Sequence, residues 1–193
     1  MSTDTLLDSF MPDYDIVERH HINVAAPAAL TFAAAREQDL LHIPLVRLIF
    51  KARELVLGAD PPNRPQLRGL LAAAHELGWG VLAEQPDREI VMGAVTRPWE
   101  ANVTFRAIPP ADFASFSEPG LVKIAWTLRA DSRTAQTSVF WTETRAVATD
   151  EQARARFRRY WAFASTGIWL IRRVSLAALK RDAERRFHQA LAA

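Results

Sequence analysis

The chain contains no cysteine. That absence excludes disulfides, thiolate-ligated zinc, iron–sulfur clusters and thiol catalysis together. It also lacks an uninterrupted apolar run of the roughly 18–20 residues that a bilayer span requires. The opening Met1-Ser2-Thr3-Asp4-Thr5 has no basic residue of the kind a secretory leader begins with. Large apolar residues are not scarce: 49% of the 193 residues are apolar and 24% charged, which fits a folded rather than a disordered chain. The length suits one domain, with residues 1–12 expected as a loosely held N-terminal segment. A cytoplasmic location is the default expectation.

Familiar catalytic motifs are missing as well. Gly78-Trp79-Gly80 precedes a strand pattern and lacks the third glycine of a dinucleotide fingerprint. No P-loop and no Gly-x-Ser-x-Gly elbow occur. His75-Glu76 lacks the second histidine of a zinc-protease helix. His20 and His21 are sequence neighbours, so on a strand they point to opposite faces and cannot chelate one ion. Neither a metal nor a cofactor is expected.

What is present is an uneven charge. Residues 150–193 carry ten Lys/Arg against four Asp/Glu, whereas residues 1–149 carry 14 against 18. The basic tail has two readings: contact with an anionic membrane or nucleic acid, or a solvated helix face. Its arginines scatter around the helix and interrupt the apolar stretches. The solvated face is therefore the expectation, with neither nucleic acid nor membrane as a partner.

Periodicity orders the elements. Residues 14–24 alternate as a strand, with Ile16, Glu18, His20, Ile22 and Val24 on one face. Pro27 suits the first turn of a helix that continues through Leu30, Phe32 and Ala34. A second helix spans residues 45–56 and stops at Gly58. Residues 59–65 hold three prolines and read as a loop, and residues 67–77 as a short helix ended by Gly78. Strands follow at residues 79–85, 89–95 and 101–107, with a turn at 86–88. The clearest hairpin joins residues 121–129 to 134–149 across a loop at 130–133. That register puts Val122, Ile124, Trp126 and Leu128 on one face with Val139, Trp141, Glu143 and Val147. Thr149 and Gln152 read as a capping box that opens the last helix. Uninterrupted, that helix would run about 60 Å, against a radius of gyration of about 16 Å for a globule of this size. A break is therefore expected at Ser165-Thr166-Gly167.

Several segments resemble the helix-grip superfamily that includes START, Bet v 1-like and polyketide-cyclase-like (SRPBCC) domains. They are Ile22-Asn-Val-Ala-Ala-Pro27-Ala-Ala-Leu-Thr-Phe32, Gly80-Val-Leu-Ala-Glu-Gln-Pro86, Glu89-Ile-Val-Met-Gly93 with Trp99, Trp141-Thr-Glu-Thr-Arg145, and Phe157-Arg-Arg-Tyr-Trp161. The resemblance covers about residues 14–190 and points to an uncharacterised bacterial branch. It implies an α+β fold in which a curved antiparallel sheet of about seven strands wraps a long C-terminal helix, in the order β-α-α-β(n)-α. It also implies an internal cavity for a small hydrophobic or amphipathic molecule, with some members catalysing reactions there. It transfers no catalytic residue.

Each candidate site residue has two readings. Ile124, Trp126, Val139 and Trp141 are either cavity wall or plain core. Trp99 is placed at the cavity mouth, Met92 as adaptable wall, and Tyr160 as a hydroxyl offered from the terminal helix. Glu143 and Arg145 are either a polar anchor in a dry cavity or a structural ion pair, with Arg53 or Arg97 as further partners; the ion pair is the commoner outcome. Two functions stay open: non-covalent carriage or sensing of an apolar or amphipathic molecule, and an enzyme of the cyclase or hydratase type in the same cavity. The ligand, the reaction and the oligomeric state are not set by the sequence.

Overall fold

An antiparallel sheet with two apolar faces needs two covers, and the chain supplies them from opposite ends. The computed structural model describes residues 6–58 and 69–192, which leaves the loop expected at 59–65 outside the described residues. The architecture is α+β. Strands β1 (Ile16–Val24), β2 (Gly80–Gln85), β3 (Glu89–Thr96), β4 (Phe105–Arg106), β5 (Val122–Thr134) and β6 (Thr137–Ala148) form one antiparallel sheet in the order β1-β6-β5-β3-β2, with β4 also on β3. Among the described residues it has six strands where about seven were expected. Helices α1 (Ala28–Glu37), α2 (Pro44–Leu57), α3 (Leu70–Glu76), α4 (Pro110–Phe113) and α5 (Glu151–Leu191) complete it. The long C-terminal helix against one sheet face is consistent with a helix grip.

The inner face packs on α1 and α5. Val24, Met92, Trp126, Leu128 and Phe140 meet Phe32 and Ala35 of α1 and Leu176, Leu179 and Ala183 of α5 in one buried cluster. The outer face is closed by the N-terminal segment and α4. Leu7 and Met11 are fully buried there with Val91, Ala125 and Phe113. The segment expected to be loosely held thus contributes two of the most buried side chains. Arg145 fastens it: its guanidinium donates to Asp8 Oδ1 (2.6 Å), to the Met11 carbonyl (2.7 Å) and to Glu143 Oε1 (2.6 Å), and lies over the Tyr14 ring.

Three expectations need correction. First, the β5–β6 turn is the two-residue Ala135-Gln136, closed by a bond between the Thr134 and Thr137 hydroxyls (2.7 Å). Residues 130–133 are strand. Val122, Ile124, Trp126 and Leu128 therefore oppose Ala148, Ala146, Thr144 and Thr142. The true register differs from the expected one by an odd number of residues, which turns every β6 side chain to the other face. Second, the capping box does not form. Asp150 Oδ1 accepts from the Ala153 amide (2.7 Å), while the Thr149 hydroxyl donates to the Leu121 carbonyl. Third, α5 runs unbroken through Ser165-Thr166-Gly167. Gly167 is there for close approach, since a Cβ would meet Ile49 Cγ2 of α2 at 3.3 Å. An 18-residue stretch of α5 also reaches a mean hydropathy of 1.2 with only 11% of it buried, enough by length and composition alone to cross a membrane. The count of uninterrupted apolar residues does not register it.

The strand expected at 101–107 shrinks to Phe105–Arg106, paired with Val95 and Thr96. Gly78, at φ 95°, turns the chain from α3 into β2 under the Phe105 carbonyl, where a Cβ would collide with backbone. Gly78→Ala is accordingly expected to cost about 3 kcal/mol, read by urea denaturation; unchanged stability would refute this packing.

Glu89 is buried on the outer face, accepting from the Thr127 hydroxyl (3.2 Å) near Arg129. Burial pushes its carboxyl above the ordinary range, and the Thr127 bond and Arg129 only partly offset this. A raised folded-state pKa means that this group's contribution to stability is full at low pH and is lost as pH rises through the raised value. Glu89→Gln should therefore gain on the wild type as pH goes from about 4 to about 8 in denaturation experiments; a difference independent of pH would count against it.

Candidate functional site

The inner face is not apolar throughout. Along β1, the alternation that turns Ile16, Ile22 and Val24 toward the helices also places Glu18 and His20 on that side. Their partners on β6 are Thr144 opposite Glu18 and Thr142 opposite His20. Helix α5 lays Arg172 across them. Its Nη1 donates to Thr142 Oγ1 at 2.9 Å and its Nη2 to Thr144 Oγ1. Two threonines at i and i+2 stand side by side on one strand face, and the planar guanidinium fork spans both. Next to it, His20 Nε2 and Glu18 Oε2 are 3.1 Å apart.

Electrostatically this is an unusual place for a cation. Burial pushes the Arg172 guanidinium below its ordinary value, and the charge of Glu18 opposes that only in part. Among the described residues no carboxylate lies within ion-pair distance of it. One turn further along the same helix face, the Ser175 hydroxyl is buried with no hydrogen-bond partner. Its backbone carbonyl accepts from Gln38 Nε2 (2.8 Å).

Apolar surface borders this polar group. Ile16, Trp99, Ile124, Tyr160 and Trp161 pack around Val122, Ala146 and Phe157. Ile124 lies on the central strand β5, bonded on both sides by β3 and β6, yet remains only half-buried. The arrangement can hold an apolar body against β5 and orient a polar end at Arg172, Thr142 and Thr144. Glu18 and His20 add a paired acid and base. The same region therefore has the parts for binding and for proton transfer.

The structure sorts the sequence candidates into three places. Trp99, Ile124 and Tyr160 come together beside the polar cluster. Met92 and Trp126 lie on the inner face in the filled core, with Trp126 edge-on to Trp79 at 6.0 Å. Val139, Trp141 and Glu143 are on the outer face, because of the register correction. Val139 is buried, and Trp141 is 39% exposed and stacked on His21 at 4.7 Å. Glu143 is bound by Arg145 and by Arg19 Nε at 2.9 Å. Arg97 instead pairs with Glu100, and the Arg53 side chain lies outside the described residues. Thus the ion-pair reading of Glu143 and Arg145 is the one the geometry displays, with the N-terminal segment as its second partner. Arg172 and Ser175 escaped sequence reasoning because the basic tail offers many arginines and α5 has no clean apolar stripe to rank them.

A separate surface cleft of about 410 Å³ is lined by Asn23, Val24, Ala25, Arg133, Thr137, Ser138, Lys180 and Glu184. Two of its three charged groups already serve the chain: Lys180 donates to the Asn23 carbonyl (3.0 Å) and Glu184 accepts from the Ala25 amide (2.9 Å). Among the described residues no three His, Asp or Glu side chains are grouped to hold a metal ion.

No family model and no curated protein matches the chain. Among solved structures, similarity is found to DR_A0006 from Deinococcus radiodurans (13% identity, TM-score 0.32, 75% of this chain and 94% of that one). It is also found to the ZhuI aromatase/cyclase from Streptomyces sp. R1128 (15%, 0.30, 89% and 94%). A third is the di-domain aromatase/cyclase BexL from the BE-7585A biosynthetic pathway (19%, 0.30, 88% of this chain and 46% of that one). Scores of this size describe a partial likeness and say nothing of this chain's chemistry.

Glu143→Gln removes one partner of the buried Arg145 while leaving the inner face untouched. It is expected to lower stability by about 1–2 kcal/mol and to leave any ligand affinity unchanged; a weakened ligand with intact stability would reverse the assignment.

Proposed function

We propose that the chain binds a small hydrophobic or amphipathic molecule between α5 and the inner face of the sheet. The observation that supports this most is incomplete cover of the inner face. Ile124, Glu18, His20 and Thr144 sit on the helix-covered face, and a solid core would bury them; they are half-buried instead. Trp99, Tyr160 and Trp161 border the same region and offer aromatic wall. Wall contacts would supply most of the affinity, at roughly 25 cal/mol per Å² of apolar surface removed from water. A carrier, sensor or sequestering role follows from binding alone.

A second reading rests on Glu18 and His20. A hydrogen-bonded carboxylate–imidazole pair beside a desolvated guanidinium is also what proton transfer on a bound polyketide-like or unsaturated substrate would use. The cyclase or hydratase alternative therefore stands with equal weight at the same site. Turnover that disappears in His20→Gln while binding persists would select it.

The binding reading is tested by thermal shift with neutral probes, dodecanol and naphthol. Both are expected to raise the melting temperature by a few degrees at about a hundred times their Kd. Ile124→Trp, which fills the region, should abolish the shift while the folded protein persists by circular dichroism. No stabilisation by either probe, or by its carboxylate counterpart, would remove the reading.

A further inference from the structure

We infer that the molecule bound at this region carries a single carboxylate, held by Arg172 and Ser175. This inference rests on the ligand-binding reading above and narrows it to a chemical class. Two independent features of α5 remain unaccounted for by the fold. Arg172 is desolvated, yet among the described residues only two of its five N–H groups are engaged, both by neutral threonine hydroxyls. Ser175, one helical turn on, is nine-tenths buried with an orphan hydroxyl. A half-buried, desolvated cation without a close counter-ion and a buried hydroxyl without a partner each cost stability, and a chain has no structural need for either. One planar anion at the α5 side of the region satisfies both. The guanidinium fork matches a carboxylate in geometry as well as in charge.

The thresholds of charge point to one negative group rather than two. Arg172 is the single guanidinium bonded to the Thr142–Thr144 pair. Glu18 already presents a carboxylate nearby, occupied by His20 at 3.1 Å. A dianion would meet Glu18 with no second cation among the described contacts of the site. A neutral head would leave Arg172 as it is. The apolar body would then lie toward Ile124, Trp99 and Tyr160.

Calorimetric titration of the full chain with matched pairs tests this: dodecanoate against dodecanol, and naphthoate against naphthol. The acid of at least one pair is expected to bind about tenfold more tightly than its alcohol. Arg172→Gln should erase that preference while alcohol affinity stays within about twofold. Should Arg172→Gln not fold, Arg172→Lys keeps the charge without the fork and should retain part of the preference. Ser175→Ala should reduce it. Glu18→Gln, which removes the competing carboxylate, should enlarge it. Equal affinity for acid and alcohol in the wild type, or a preference that survives Arg172→Gln, would overturn the inference and leave the binding reading standing. Failure of all four probes to bind would instead remove the reading on which it rests.

Discussion

The antiparallel pairing of β5 with β6 is the constraint on which everything else depends. These two strands lie in the middle of the sheet and contribute its longest ladder. Because side chains alternate strictly, their register decides which residues meet α1 and α5 and which meet the N-terminal segment. With the two-residue turn at Ala135-Gln136, Thr142 and Thr144 face inward and Glu143 and Arg145 outward. A shift by one residue would exchange them. It would bury an Arg–Glu pair under α5 and leave Arg172 facing that pair instead of two hydroxyls. The chemistry of both faces is therefore written in backbone hydrogen bonds.

This explains what was legible in the sequence and what was not. Element order was legible because alternation and helical spacing are local properties: β1, α1, α2, β2, β3 and the long α5 all stand close to where periodicity put them. The face assignment of β6 was not, because it hinges on the length of one turn. Asp131, Ser132 and Arg133 are polar and read as a loop. In the fold Asp131 stays in the strand and takes the side chain of Arg129 at 2.6 Å, so polarity there serves a ladder rather than a turn. Strong alternation on both strands agreed with either register, since β6 carries apolar residues at odd positions (Val139, Trp141) and at even ones (Phe140, Ala146, Ala148). The inward position of Glu18 and His20 was legible. Their companion Arg172 was not, because its significance comes from a contact between segments 28–30 residues apart in sequence.

The basic C-terminal segment also loses its uniformity once it is folded. Arg154 ties α5 to Asp15, Lys180 holds the end of β1, and Arg186 reaches Glu37 at the end of α1. These contacts run from the first turn of α5 to near its last. They answer how a 41-residue helix with only scattered apolar positions stays on the sheet: the outer turns are tethered by ions, and Leu176, Leu179 and Ala183 supply the buried contact between them. Exposed pairs of this kind are each weak. Their value here is orientation, since they fix the rotation of α5 and so decide which arginine points inward.

Seen this way, Arg172 is the exception within a consistent pattern. Among the described residues the two buried guanidiniums are each met by carboxylates, Arg145 by Asp8 and Glu143 and Arg129 by Asp131, whereas the half-buried Arg172 is not. Those sites are closed and complete, and Tyr14 and Met11 seal the first of them further. At Arg172 the chain provides hydroxyls where it could have provided acids, and turns a nearby acid, Glu18, toward His20. Selection for stability alone favours the completed pattern, because a desolvated charge without a partner costs more than a paired one. A protein that completes two such sites and leaves a third open, beside half-covered Ile124, has its unsatisfied electrostatics gathered where an incoming molecule can satisfy them. The proposed binding site therefore lies on the inner face, where polar groups are left unsatisfied, and the sealed network of the outer face holds the N-terminal segment to the sheet.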